Sequence, residues 1–211
     1  MSSILDQIYS SILTGNYSRI QEQVTQALGE SVDPETILNQ GMIAAMKEVG
    51  ERFEDGTCYI PDMLVAARAM QAALEILKPS LALANVKPIG KVVVGTIKGD
   101  IHDIGKNLVC MMLEGAGFEI LDLGVDVSPE AFVAAVKEHE PDLVGISALL
   151  TTTMQNMKAA VEAVRSATQN EPVKVIVGGA PVTEAFARLI GADGFAPDAG
   201  RAVSLAKSLI H

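Results

Sequence analysis

From Lys91 onward the chain alternates short Val/Ile/Leu-rich runs with amphipathic segments, and that alternation leaves little choice of fold. KVVVGT (91–96), FEILDL (118–123), DLVGIS (142–147), VKVIVGG (173–179) and GFAP (194–197) read as strands. Residues 104–116, 128–140, 151–168, 181–190 and 198–210 follow them in turn and read as helices. Five such β-α units in a row predict a parallel sheet with helices on both faces, since parallel neighbours need a long crossover between them. Runs of continuous apolar residues fit strands covered on both sides. The expected fold is α/β, a flavodoxin-like (Rossmann-type) five-stranded parallel sheet of order 2-1-3-4-5. In such a sheet ligands sit outside the carboxyl ends of the strands where the order reverses. The loops after residues 96, 147 and 177 meet there, and they carry GDIHDIG, SALLTTT and GGAP.

Residues 1–85 follow a different period. DPETILNQGMIAAMKEVGERFEDG opens with Asp33 as a cap and Pro34 at the first helical position. Leu38, Met42, Ala45, Met46, Val49 and Phe53 fall at steps of three and four, and the segment stops at Asp55-Gly56. PDMLVAARAMQAALEILKPS starts at Pro61, carries Met63, Ala67, Met70, Leu74 and Leu77 on one face, and is expected to end at Pro79. Two shorter amphipathic segments lie near 2–14 and 17–29, split by Gly15-Asn16. Four such helices predict a small antiparallel bundle. PSLALANVKPIG (79–90) reads as the linker. The expected division is a helical cap domain over 1–88 and a Rossmann-like domain over 89–211.

Composition removes several classes. At 49% apolar and 20% charged over 211 residues, a packed core is expected and disorder is not. A net charge of −10 argues against nucleic acid or an anionic membrane surface as the main partner. No run approaches the roughly 18–20 apolar residues of a membrane span. MSSILDQIYS has no basic start followed by an apolar run, so no signal peptide is expected. Cys58 and Cys110 make no CxxC or zinc-like spacing. The plain reading is a cytoplasmic, reduced protein.

The first sheet loop resembles a phosphate cradle only superficially. Five residues separate Gly99 from Gly105-Lys106 where a P-loop has four, and Asn107 stands where Ser or Thr holds magnesium. A phospho-acceptor domain needs an aspartate ending the third strand, and Ile146-Ser147 stand there. His102 remains, in a chain with only three histidines. Neutral imidazole can bind a metal through one nitrogen while the other donates to a carboxylate, and Asp100 lies two residues away. A single histidine cannot build a zinc site. It can serve as an axial ligand to a metal already held by a macrocycle.

Asp100-x-His102-x-x-Gly105, then Ser147-x-Leu149, then Gly178-Gly179, resembles the cobalamin-binding fingerprint of methionine synthase and its relatives. The intervening 41 residues (106–146) and 28 residues (150–177) match that family's spacing. ERFEDGTCYIPDMLVAARAM looks like the cap region of the same proteins, so the likeness covers nearly the whole chain. In length the chain is most similar to the small corrinoid proteins of anaerobic methyltransferase systems, which demethylate methanol, methylamines, glycine betaine or aryl methyl ethers.

The resemblance implies a cobalamin or related cobamide that cycles between Co(I) and methyl-Co(III). It implies His102 as the lower axial cobalt ligand in place of the cofactor's own benzimidazole, Asp100 as its acceptor, and Thr153 as the hydroxyl completing the relay. Asp103, Ile104 and Gly105 border the cofactor, with Gly105 letting the nucleotide tail pass. Ser147 bonds the displaced base, Leu149 and Thr151 line the slot, and Gly178 and Gly179 let backbone approach the tail. Phe53, Ile60, Met63 and Leu64 match the residues that cover the upper corrin face. Lys106 and Asn107 read as helix-start residues that help orient the loop, and Cys58 as structural.

The expected function is a methyl carrier, a non-autonomous subunit working with a substrate-specific methyltransferase, an acceptor methyltransferase (to tetrahydrofolate or a similar acceptor) and a reductive activase. Nucleic acid and membrane are not expected partners. Two other classes share the fingerprint. A cobalamin-dependent sensor or regulator needs an output element, and residues 1–85 show no basic cluster. A small subunit of an adenosylcobalamin mutase needs a barrel partner, and the cap-like half fits methyl transfer better.

Overall fold

The computed structural model describes residues 3–169 and 173–210. Contacts divide the chain into two compact units: Met1–Pro88 with Gly115–Gly117, and Ile89–Glu114 with Phe118–His211.

The first unit is helical. The segment expected near 2–14 begins at a residue outside those described, and its helix is α1 (Ile4–Leu13). Ser3 caps it, accepting from the Asp6 N–H while the Asp6 carboxylate accepts from the Ser3 N–H. Helix α2 (Tyr17–Gly29) follows, capped by Asn16. The segment that opens at Asp33 is less regular than its apolar spacing predicts. It consists of α3 (Pro34–Thr36), a π-helical stretch (Ile37–Ile43) and α4 (Ala44–Glu54). The wide π turn rotates the buried face, so that Ile37 rather than Leu38 is enclosed. Gly41 lies on that face, and a β-carbon there would stand 3.0 Å from the Ile8 side chain.

Helix α5 (Ile60–Leu83) corrects a second expectation, because it runs through Pro79 instead of ending there. Proline removes one hydrogen bond to the carbonyl four residues back. Here that carbonyl belongs to Glu75, and both Glu75 and Pro79 lie on the exposed side, where water can take the lost donor's place. The non-helical connection is therefore shorter than the predicted linker and spans 84–90.

The second unit is a parallel sheet of order β2-β1-β3-β4-β5, as the alternation predicts. Its strands are β1 (Lys91–Thr96), β2 (Glu119–Asp122), β3 (Leu143–Ser147), β4 (Lys174–Gly178) and β5 (Gly194–Ala196). Its helices are α6 (Ile104–Gly115), α7 (Pro129–His139), α8 (Met154–Ala167), α9 (Glu184–Leu189) and α10 (Ala199–Ile210). Val93, Val144, Ile146, Val175 and Val177 pack with Phe132 and Val136 of α7 and Met157, Val161 and Val164 of α8. The alternate strand residues Val92, Val94, Leu143 and Ile176 are buried as well. Both faces of the sheet are covered, which is why the strands read as unbroken apolar runs. Among the described residues no helix is long and apolar enough to cross a membrane.

Candidate functional site

Strand register brings the three loops to one level. Thr96 pairs with Ser147, Ser147 with Gly178, and Gly178 with Ala196. The loops that follow β1, β3 and β4 thus leave the sheet side by side. The Ala148 N–H donates to the Gly178 carbonyl at 3.1 Å, and the Ile97 N–H to the Ser147 carbonyl at 2.9 Å.

Asp100 is the centre of this edge. It is fully buried, a rare state for a carboxylate without partners. Oδ1 accepts from the His102 main-chain N–H at 3.0 Å and lies 2.7 Å from His102 Nδ1. Oδ2 accepts from the main-chain N–H groups of Leu149 at 2.6 Å and Leu150 at 3.1 Å. Burial pushes the Asp100 pKa up, but the donors from His102, Leu149 and Leu150 outweigh it and hold the carboxyl at about 2. An ionised Asp100 fixes Nδ1 as the protonated nitrogen, so Nε2 carries the free lone pair. The His102 side chain is 48% exposed, and among the described residues Nε2 has no hydrogen-bond partner.

Thr153 is buried where the relay reading needs it. Its hydroxyl lies 3.4 Å from Asp100 Oδ2 but only 2.8 Å from the Leu150 carbonyl. A hydroxyl has one proton to give, and the shorter contact takes it. The two main-chain amides, rather than Thr153, are the strong donors to Oδ2. They are invisible to a reading of side chains, because every residue has one. Thr96 was also missed: its buried hydroxyl donates to the His102 carbonyl at 3.0 Å and ties the loop to the strand end.

The other predicted residues are distributed as follows. Asp103 is exposed and accepts from the Asn107 side-chain amide at 3.0 Å. Lys106 is buried, ion-paired with Asp122, and donates to Asn107 Oδ1 at 2.6 Å. Ser147 is half-buried and Thr151 exposed, at the start of a 3₁₀ turn over Thr151–Thr153. A β-carbon on Gly105 would meet nothing within 4 Å, so open space lies beside it. One on Gly178 would come within 2.8 Å of the Ala196 carbonyl oxygen, and one on Gly179 within 1.8 Å of the Ala148 carbonyl oxygen. In the helical unit Ile60 is exposed, Phe53 and Leu64 are partly buried, and Met63 is fully buried. Cys58 is buried too, and its thiol pKa is raised by burial first and by Asp62 next.

This edge suits a flat apolar group that brings its own metal. Ile101 and Ile104, 75% and 76% exposed, flank His102 in sequence, and Leu149 and Leu150 are exposed on the facing loop. Large apolar side chains gathered in the open mark a binding surface. No group of three or more His, Cys, Asp or Glu among the described residues could hold a metal ion. A single imidazole with one free nitrogen could ligate a metal that a macrocycle already holds.

The depressed Asp100 pKa has a measurable consequence. A carboxyl whose folded pKa lies below its ordinary 3.8 adds stability that is complete above about pH 4 and lost as pH falls through about 2. Without cofactor, the wild type is expected to melt above Asp100→Asn at pH 5, with the gap closing between pH 4 and pH 2. A gap that stays constant across that range would show that ionised Asp100 contributes nothing.

Comparison with known proteins agrees with this geometry. Residues 90–204 match the family model described as the B12 binding domain, and residues 4–78 match a second model of the same description. The chain is similar to dimethylamine corrinoid protein 3 of Methanosarcina acetivorans, at 40% identity over 210 residues, covering 100% of this chain and 98% of the relative. It is similar to trimethylamine corrinoid protein 2 of the same organism, at 43% identity, covering 98% and 96%. Among solved structures it resembles a chain of the methanol:cobalamin methyltransferase complex MtaBC from Methanosarcina barkeri, with a TM-score of 0.88 and 28% identity, covering 98% of this chain and 79% of that one.

Proposed function

This chain belongs to the B12-binding corrinoid proteins of methyltransferase systems, and from that membership we propose that it carries a methyl group between two partner methyltransferases. The observation that carries the reading is His102, with Nδ1 held at 2.7 Å by a buried anionic carboxylate and Nε2 free. A bound cobalt corrinoid supplies the chemistry, as a nucleophile when reduced and a methyl donor when methylated.

The protein's own part is positioning and proton control. His102 Nε2 offers the axial ligand. Asp100 keeps the proton on Nδ1 and orients the ring. With Nδ1 on the Asp100 carboxylate, any proton exchange of the ring would take place at Nε2. Thr153 donates to the Leu150 carbonyl, so the proton stays within the Asp100–His102 pair. Ser147, Leu149, Thr151, Gly105, Gly178 and Gly179 border the slot for the nucleotide tail, with Asp103 and Ile104 at its entrance. Phe53, Ile60, Met63 and Leu64 are the candidates of the helical unit for contact with the corrin.

One partner would be a substrate-specific methyltransferase and the other would methylate the final acceptor, with a reductive activase as a third. The names of the relatives place methylated amines first among the donors to test. The test is to reconstitute the chain with methylcobalamin, record its visible spectrum, and supply amine-specific methyltransferases. Histidine-ligated cofactor and methyl exchange are expected. Failure to retain any corrinoid would end the proposal.

Asp100→Asn is expected to keep the cofactor but weaken histidine ligation and methyl transfer by about 10–100-fold, the usual effect of losing a partner behind a metal ligand. A variant whose spectrum and transfer rate match the wild type would remove Asp100 from the mechanism.

A further inference from the structure

Lys98 and Gly99, in the turn that holds Asp100, are exposed. Hydrogen bonds fix the turn. The Lys98 N–H donates to the Val127 carbonyl at 2.9 Å, and its carbonyl accepts from the Asn156 side-chain amide at 2.9 Å. The Asp100 N–H donates to the Ile97 carbonyl at 3.1 Å. The two remaining contacts both come from Asp126, on the connection between β2 and α7. Its Oδ1 accepts from the Gly99 N–H at 2.7 Å, and its own N–H donates to the Asp100 carbonyl at 3.0 Å.

The backbone of Asp126 is built for this double contact. It is left-handed, with φ at 57°, a conformation that aspartate and asparagine adopt more readily than most residues. Gly99 on the other side has φ at 87°, so the turn needs a restraint from outside to stay in one form. The Asp100 carboxylate in turn sets the His102 ring. A small rotation of the 99–100 peptide would move Oδ1 away from Nδ1, and with it the direction of Nε2.

We propose that Asp126 is a positioning residue for the axial histidine, clamping the two peptides that flank the Gly99–Asp100 bond so that Asp100 aims His102 at the metal. The assignment rests on the proposed role of His102 as a cobalt ligand. Asp126 touches neither the ring nor the cofactor and acts through the turn. What matters is its acceptor oxygen rather than its charge, so asparagine should serve in its place. Glycine keeps the left-handed backbone and the main-chain contact but deletes the acceptor.

The experiment compares the wild type, Asp126→Gly and Asp126→Asn. In the protein without cofactor, the wild-type Gly99 amide is expected to be protected from hydrogen exchange. In Asp126→Gly it should exchange about tenfold faster, the upper end of the loss expected for one hydrogen bond. Reconstituted with methylcobalamin, Asp126→Gly should show a ratio of histidine-ligated to unligated cofactor about tenfold lower in the visible spectrum. Its melting temperature should stay close to that of the wild type. Asp126→Asn should restore both readings. An unprotected wild-type Gly99 amide, an unchanged ligation ratio in Asp126→Gly, or an asparagine variant that behaves like the glycine one would each overturn the proposal. Should the wild type take up no corrinoid, the carrier reading fails by itself. The clamp is then decided by the ¹⁵N signals of the His102 ring without cofactor: Asp126→Gly must shift them toward the tautomer mixture of a free imidazole, and unchanged signals sink it.

Discussion

His102→Ala should yield a protein that still takes up methylcobalamin yet never shows the spectrum of a histidine-ligated cobalt. Retention is expected because the residues proposed for the tail slot, Ser147, Gly178 and Gly179, stand at the ends of β3 and β4, and no hydrogen bond from the His102 side chain supports them. His102 exchanges with solvent over nearly half of its side-chain surface, so its removal should cost the fold little. Asp100 keeps the Leu149 and Leu150 amides as donors and stays an anion. Its Oδ1 loses only the ring. Methyl transfer should fall by at least about 100-fold, the upper end of the range for a residue behind the ligand, because here the ligand itself is gone. Added imidazole should restore part of the ligated spectrum by occupying the space of the missing ring. A His102→Ala variant with a wild-type spectrum would mean that another group binds the cobalt, and the assignment of this site would fall.

The second large effect concerns Gly179. A β-carbon there would lie 1.8 Å from the Ala148 carbonyl oxygen, and the backbone has φ at 117°, which side chains strongly resist. Neither conflict has a flexible partner to absorb it, since the contact is with the backbone. Strain of this kind costs about 1–3 kcal/mol and overpacking a similar amount, so Gly179→Ala should lose about 4 kcal/mol. For a chain of this length that corresponds to a drop of about 10 °C in melting temperature. Gly105→Ala is the informative contrast. Its β-carbon would meet nothing within 4 Å, and it stands in the first turn of α6, where alanine is a better helix former. Gly105→Ala should melt at or above the wild type while taking up cofactor less tightly. If Gly179→Ala melted normally, the close approach of the β3 and β4 loops would be wrong. If Gly105→Ala bound cofactor normally, the open space beside it would not be the path of the tail.

Much of this was legible from the residues. The alternation after Lys91 dictated five parallel strands and, through their order, the edge where three unusual loops meet. The spacing of His102, Ser147 and Gly178 named the loops that do meet, and Asp100 does lie against His102. Other readings were overturned by context. Proline at 79 predicts a helix end from local rules, but the helix continues through it, with Glu75 and Pro79 both on the exposed side. Regular spacing over 33–56 predicts one plain helix, but a π turn sets Ile37 and Gly41 inward against α1. The place of Thr153 in the relay followed from the resemblance, and its hydroxyl lies 3.4 Å from Asp100 Oδ2 and 2.8 Å from the Leu150 carbonyl.

The division has a physical basis. By itself the sequence determined the five strands, their order and which loops leave the sheet side by side, because apolar periodicity and chain connectivity act over short, readable distances. Only the tertiary structure decided how Asp100 is held: by the amides of Leu149 and Leu150, by a turn pinned from Asp126 and Asn156, and by the choice of Thr153 for a carbonyl. Main-chain donors carry no residue identity. The choice between a 2.8 Å and a 3.4 Å acceptor is made by loops brought together from positions about fifty residues apart.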